Sequence, residues 1–205
     1  APDRDDKVIT SWNGLAIGAL ATAGVWLDRP EYVARARETA EFVLASLRVD
    51  GRLRRTWMEG QAHHLGCLDD YANLIDGLLD LYAATSETRW LTTADELAGG
   101  MLELFADAGG AGFFFAGSDG EELIARTREV EDHPTPSGNS QAAWVLWRLS
   151  LLTGKRAYEV HAHRALELVS HDAVRYPHAF GTALIAIDAI TSEPPTQVIV
   201  AGPAG

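Results

Sequence analysis

Apolar residues recur along most of this chain with the 3.6-residue period of amphipathic helices, not the two-residue period of strands. Seven helices are predicted: about Ser11–Leu27, a second running through Tyr32 to Leu47, about Asp70–Thr85, about Arg89–Phe105, about Ser137–Leu152, about Ala157–Ser170 and about Pro177–Ile190. Leu15, Leu20, Ala23 and Leu27 share one side of the first. Asp28 is placed to cap the second, with Pro30 in its first turn, where a missing N–H does no harm.

The helices form pairs that repeat in register. Asn13 precedes Tyr32, Tyr71 precedes Trp90 and Asn139 precedes Tyr158, each by 19 residues. Leu20, Leu78 and Leu146 correspond in the first helix of each pair, and Ala36, Ala94 and Ala162 in the second. An aromatic followed by Ala one turn later lets two helices approach closely. The pairs are offset by 58 and then 68 residues, longer than the ~34 or ~40–47 of common helical arrays. The extra length lies between pairs. Gly51–Trp57 alternates after a turn signal and predicts a short strand, and residues 112–116 and 122–126 flank Ser118-Asp119-Gly120 as a predicted β-hairpin. Ordered loops at one end suit a closed ring of helical hairpins, whereas an open solenoid keeps its loops short. The expected fold is therefore all-α: an α/α toroid, here a partial six-hairpin barrel with short β inserts, over residues 1–193. Residues 194–205 read as the strand-like start of a further region, and the chain as an excerpt of a longer polypeptide.

Charge and composition narrow the partners. Lys and Arg number 17 against 29 Asp and Glu, a net charge of −12 with no basic cluster, which disfavours nucleic acid and anionic membranes. Apolar residues make up 47%, enough for a sizeable core, so a disordered tail is excluded. No apolar run reaches about 18 residues, so no membrane span is predicted, and without a signal core the expected location is the cytoplasm. Cys67 is the only cysteine, which excludes an intrachain disulfide framework and a thiolate zinc site. His161 and His163 are two apart on a helix and cannot share a face, and H-E-x-x-H is missing, so neither metal nor cofactor is expected.

The segments DDKVITSWNGLAIGALA, GCLDDYANLIDGLLDLYAAT, GGAGFFFAGSDGEELIARTREVEDHPTPSGNSQAAWVLWRLSLLTG and QVIVAGP resemble, in order and across essentially the whole chain, the spermatogenesis-associated, thioredoxin-domain-containing family. That resemblance implies an α/α toroid like those of N-acylglucosamine 2-epimerases and six-hairpin glycosidases, of which this chain would be roughly the later half. It also implies an upstream thioredoxin-like domain in the full-length protein as an intramolecular partner. Cys67, outside any C-x-x-C pair, agrees with an excerpt that lacks that domain.

Candidate chemistry gathers at the starts of the odd-numbered helices: Ser11-Trp12-Asn13-Gly14, Asp69-Asp70-Tyr71, Pro136-Ser137-Gly138-Asn139-Ser140 and Pro177-His178-Ala179-Phe180. If these helices share a direction and form the inner layer, the four starts converge on one mouth, with free helical N–H groups, polar side chains and aromatic faces around a concavity. Such a lining suits a small polyhydroxylated ligand, a sugar. Trp12, Trp57 and Tyr71 would stack on it, and Asn13, Ser137 and Asn139 would bind its hydroxyls. Asp69-Asp70 is the first choice for acid–base chemistry, one carboxylate capping helix three while the other points into the cavity, and such a pair in a partly dry cleft has one pKa raised. The alternative is a pair that only caps the helix and favours its dipole. Trp12 could equally be a buried indole, and Ser137 a plain cap. Arg52, Arg54, Arg55, Arg126 and Arg128 could hold an anionic sugar or a neighbouring loop, or balance the nearby acids, and the local acid count favours balance. Epimerases of the resembling fold use histidines as acid/base groups, so His133 and His178 enter as catalytic candidates, against a reading as loop polar residues. The expected function is carbohydrate binding with sugar-isomerising or glycoside-cleaving chemistry. The alternative is a non-catalytic scaffold or redox-associated interaction domain.

Overall fold

A computed structural model describes residues 5–121, 125–192, 196 and 198. The order of elements is β1 (Val8–Ile9), α1 (Thr10–Trp26), α2 (Pro30–Ser46), β2 (Arg48–Val49), β3 (Arg52–Met58), β4 (Gln61–Leu65), α3 (Leu68–Thr85), α4 (Thr88–Phe105), α5 (Gly138–Thr153), α6 (Arg156–Arg175), a 3-10 turn (Pro177–Ala179) and α7 (Gly181–Thr191). Each odd helix packs against the even helix that follows it, and the odd helices pack side by side in the order α1, α3, α5, α7. The odd helices thus form one layer and α2, α4 and α6 a second behind it.

The register-matched residues explain the pairing. Ala36, Ala94 and Ala162 are fully buried where the two layers meet, and Trp90 and Tyr158 are buried one turn earlier. Leu78 and Leu146 are fully buried in α3 and α5, each stabilising by about 1.5–3 kcal/mol. Their counterpart Leu20 is only half-buried: among the described residues α1 has one odd-helix neighbour, α3.

Several boundaries differ from expectation. Asp28 does not cap α2: it takes a left-handed φ of 52°, and Arg29 occupies the cap with Pro30 behind it. α3 begins at Leu68, two residues early, because Cys67 is its cap. The seventh helix is broken at Phe180, so Pro177–Ala179 is a separate turn. The expected strand at Gly51–Trp57 is β3, the centre of a small antiparallel sheet that pairs with β1, β2 and β4. The expected hairpin at 112–126 is not built as strands over its first arm. Phe113 makes only an isolated bridge with Ala106, and the Phe115 N–H donates to Thr127 instead. Phe113 is drawn out of a ladder because its ring is buried in the core. Residues 122–124 of the second arm lie outside the described residues, as do 193–205 apart from Thr196 and Val198. No helix among the described residues is long and apolar enough to cross a membrane.

Candidate functional site

The starts of the odd helices do gather at one end, and two carboxylates draw them together. Asp70, in the first turn of α3, accepts the Cys67 N–H at 2.9 Å through Oδ2 and the Ser11 N–H of α1 at 3.0 Å through Oδ1. Asp132, in the loop before α5, accepts the Ser137 N–H of α5 and the Thr182 N–H of α7, both at 2.8 Å. Parallel helices present unpaired N–H groups and like dipole ends side by side, so a shared carboxylate satisfies donors from two helices and offsets their repulsion. Gly138 sits against Leu68 and the Asp69 N–H, which joins the α3 and α5 starts. Asp132 did not stand out in the sequence beyond being one acid among several, since its second partner lies 50 residues away.

Three of the expected ligand contacts are used internally. Tyr71 is buried, and its hydroxyl accepts the Leu53 N–H and an Arg52 N–H, both at 3.1 Å. Asn139 is buried, with Oδ1 accepting the Phe113 N–H at 2.8 Å and Nδ2 donating to the carbonyls of Phe113 and Glu129. Ser137 is buried as the cap of α5, accepting the Ser140 N–H. These side chains leave no surface for a sugar. Asn13, Tyr71 and Asn139, which share one place in the repeat, all tie a preceding or inserted segment to an inner-helix start: Asn13 donates to the Ile9 carbonyl at 2.8 Å. Their recurrence marks bracing of loops. Trp57 is half-buried with its ring edge-on to Phe42 of the outer helix α2 at 5.4 Å, which commits it to packing.

The accessible part of the rim is smaller. Trp12 is 61% exposed at the start of α1. Arg55 of β3 reaches Asp69 and Asp70, each at 3.0 Å, and stacks over Phe115. Asp70 is 0% exposed at its side chain and Asp69 19%. The pair thus divides: Asp70 closes a capping box with Cys67, and Asp69 is the partly exposed member that pairs with Arg55. Burial, followed by the neighbouring Asp69, pushes the Asp70 carboxyl up to about 7, while Arg55 and the two amides pull it back. Cys67 Sγ and the two carboxylates lie within 4.8 Å of one another, a donor set the sequence did not announce, but the Arg55 guanidinium already supplies their positive partner. Burial pushes the Cys67 thiol up to about 11, which keeps it protonated.

The remaining candidates lie further round. His133 and His178 are exposed on adjoining loops, joined by the Asp132 N–H donating to the Ala179 carbonyl at 2.7 Å. His133 lines a surface cleft of about 230 Å³ with Arg128, Glu129 and Glu131. Arg52 clamps Asp119 and the Gly66 carbonyl, Arg126 the carbonyls of Ala116 and Leu104, and Arg128 pairs with Asp107. These arginines hold loops, and Arg55 balances the two acids.

A more extended polar feature escaped the sequence reading. Asp69, Asn73, Asp76 and Asp80 are spaced i, i+4, i+7 and i+11 on α3, so they form one stripe along a helix that is otherwise mostly apolar. Arg148 of α5 bridges Asp76 at 2.5 Å and Asp80 at 2.8 Å. The spacing alone could have shown it, as a helical polar face crossing the inner layer.

Comparison with known proteins gives sequence relatives and a fold. No family model matches the chain. It is 32% identical to spermatogenesis-associated protein 20 of Rattus norvegicus over 97% of its own length and 26% of that protein. The chain thus spans about a quarter of the length of the curated relatives it matches. Among solved structures it is similar to a GH76 alpha-mannanase of Bacteroides thetaiotaomicron, with a TM-score of 0.68 at 12% identity, covering 90% of this chain and 52% of that one. It is also similar to a cellobiose 2-epimerase of Spirochaeta thermophila, with a TM-score of 0.64 at 13% identity, covering 82% and 45%. At such identities the likeness is one of fold, the α/α toroid.

Proposed function

From the premise that this chain is a sequence relative of the spermatogenesis-associated protein 20 family, over a segment about a quarter of its members' length, and has the α/α-toroid fold, we propose that it is the carbohydrate-binding part of a larger protein. The observation that carries this reading is that the start of α1, with Trp12 exposed, and the start of α3, with a partly exposed, Arg55-bound Asp69, are joined through the buried Asp70. An exposed indole offers a flat apolar face to a pyranose ring, and a carboxylate accepts its hydroxyls. The toroid neighbours include a mannanase and an epimerase of cellobiose, which supports a sugar as ligand by analogy of fold. In an acid–base step, of the epimerising or glycoside-cleaving kind, Asp69 would be the group that reaches substrate. Asp70 has both oxygens engaged and acts as a positioning residue that holds Arg55, which in turn pairs with Asp69. Asn13, His133 and His178 complete the rim as further candidates.

Calorimetric titration with mannose, glucose, mannobiose and cellobiose tests the reading. Binding in the millimolar range or tighter is expected. Trp12→Ala should weaken it about tenfold with the thermal midpoint nearly unchanged, since its side chain is exposed, and Asp69→Asn should weaken it by a similar factor with a lowered midpoint, since it also loses its ion pair with Arg55. Absence of binding by any of these sugars, or unchanged binding by both variants, refutes it. The second reading, a scaffold that docks another part of the longer protein, is favoured by the internal use of Tyr71, Ser137 and Asn139, and predicts that outcome.

A further inference from the structure

The polar stripe of α3 continues the rim downward. Asp69 lies at the rim, and Asp80 lies eleven residues on, about 16 Å along a helix rising about 1.5 Å per residue. Tyr71 and Leu78, on the opposite side of α3, are buried, and Tyr71 packs its ring on Phe105 of α4. The stripe therefore faces away from the outer layer, between α1 and α5. Asp76 and Asp80 retain 21% and 28% exposure while bound to Arg148. Arg148 in turn lies over the ring of Trp144, which is tilted against Trp147 at 5.5 Å.

Two observations indicate that the stripe serves more than the joining of α3 to α5. Asn73, one turn above Asp76, is 1% exposed and its Oδ1 has no hydrogen-bond partner among the described residues, so an acceptor stands unused in the middle of the stripe. At the lower end a cleft of about 120 Å³ opens between α1 and α3, where Asp80 and Thr22 are joined by Val25 and by Trp26, 83% exposed. The Asp80 carboxylate fits there because α1 has Gly18 opposite it, whose Cβ would stand 2.8 Å from Oδ2. A carboxylate, a hydroxyl and an exposed indole around a narrow cleft repeat the chemistry of the rim at the other end of one helix.

We propose that the ligand is an oligosaccharide chain, not a single sugar, that enters at Trp12 and Asp69, runs along the α3 stripe past Asn73 and Asp76, and places its far unit at Asp80, Thr22 and Trp26. This rests on the carbohydrate reading above and adds a length to it. The cleft takes one edge of a pyranose ring, with Trp26 against its apolar face and Asp80 accepting a hydroxyl. Arg148 holds both carboxylates in place through one oxygen of each.

The test is calorimetry with manno- and cello-oligosaccharides of one, two and four units on the wild-type chain, Trp26→Ala and Asp80→Asn. Trp26→Ala changes an exposed side chain, so it keeps the fold where Asp80→Asn disturbs Arg148. At least one series should gain about tenfold in affinity from one unit to four. Trp26→Ala should remove that gain. Equal affinity at every length, or a gain that survives Trp26→Ala, overturns the oligosaccharide inference and leaves the carbohydrate reading standing. Absence of binding by any member overturns both.

Discussion

Asp70 lies wholly out of solvent yet accepts two backbone amides and a guanidinium, and this combination governs how the rim responds to pH. Burial and Asp69 hold its carboxyl up to about 7, against an unfolded value of about 4. Between those values the folded chain binds more protons at this group than the unfolded chain does. Its contribution to stability is therefore complete at low pH, falls as pH rises through that window and is flat above it. Urea denaturation at a series of pH values should show the wild type losing ground relative to Asp70→Asn from about pH 4 to about pH 7. A difference that grows over that range would mean that the ionised form is the one the fold prefers. The position was legible as an acid at a helix start. Its second partner, the Ser11 N–H, lies 59 residues away and was not, because local sequence reports a helix end but not which neighbouring helix shares it.

Among the elements, α1 and α3 approach closely, and glycine permits it. A Cβ on Gly14 would lie 2.5 Å from the Asn73 backbone, and one on Gly77 would lie 2.3 Å from the Gly14 carbonyl oxygen. Gly14→Ala would gain about 1 kcal/mol of helix propensity. It would also force two backbones apart, and overpacking against groups that cannot move aside costs about 1–3 kcal/mol or more. Steric loss should win, with a net destabilisation of about 1–2 kcal/mol by denaturant titration. Gly99→Ala in α4, where an added Cβ meets nothing within 4 Å, should instead stabilise by about 0.5–1 kcal/mol. Helix identity was readable from the apolar period, and the buried Ala36, Ala94 and Ala162 from the repeat. The absent strand at 112–116 was not, since an Asp-Gly turn after a run of phenylalanines signals a hairpin locally, while burial of Phe113 in the core outweighs the ladder.

At the scale of the whole molecule, the two-layer arrangement makes stability uneven. α3 is flanked by α1 and α5 and backed by α4, whereas α7 is short and packs on α5 and α6 at one edge. Amide hydrogen exchange should be slowest in the middle of α3 and fastest in α7. Equal protection across the odd helices would show that the layer opens as one unit. The amino-acid sequence by itself determined the helices, their pairing and their register, because these rest on periods of a few residues and on repeats of small side chains. It also determined that acids and aromatics would stand at the inner-helix starts. Only the tertiary structure decided which of them meet solvent. Tyr71, Ser137 and Asn139 are spent on bracing, Asp70 and Asp132 on joining helix ends, Asp69 is partly exposed while paired with Arg55, and Trp12 is left open. The physical reason is that exposure depends on what packs across from a residue, and those partners come from segments tens of residues away.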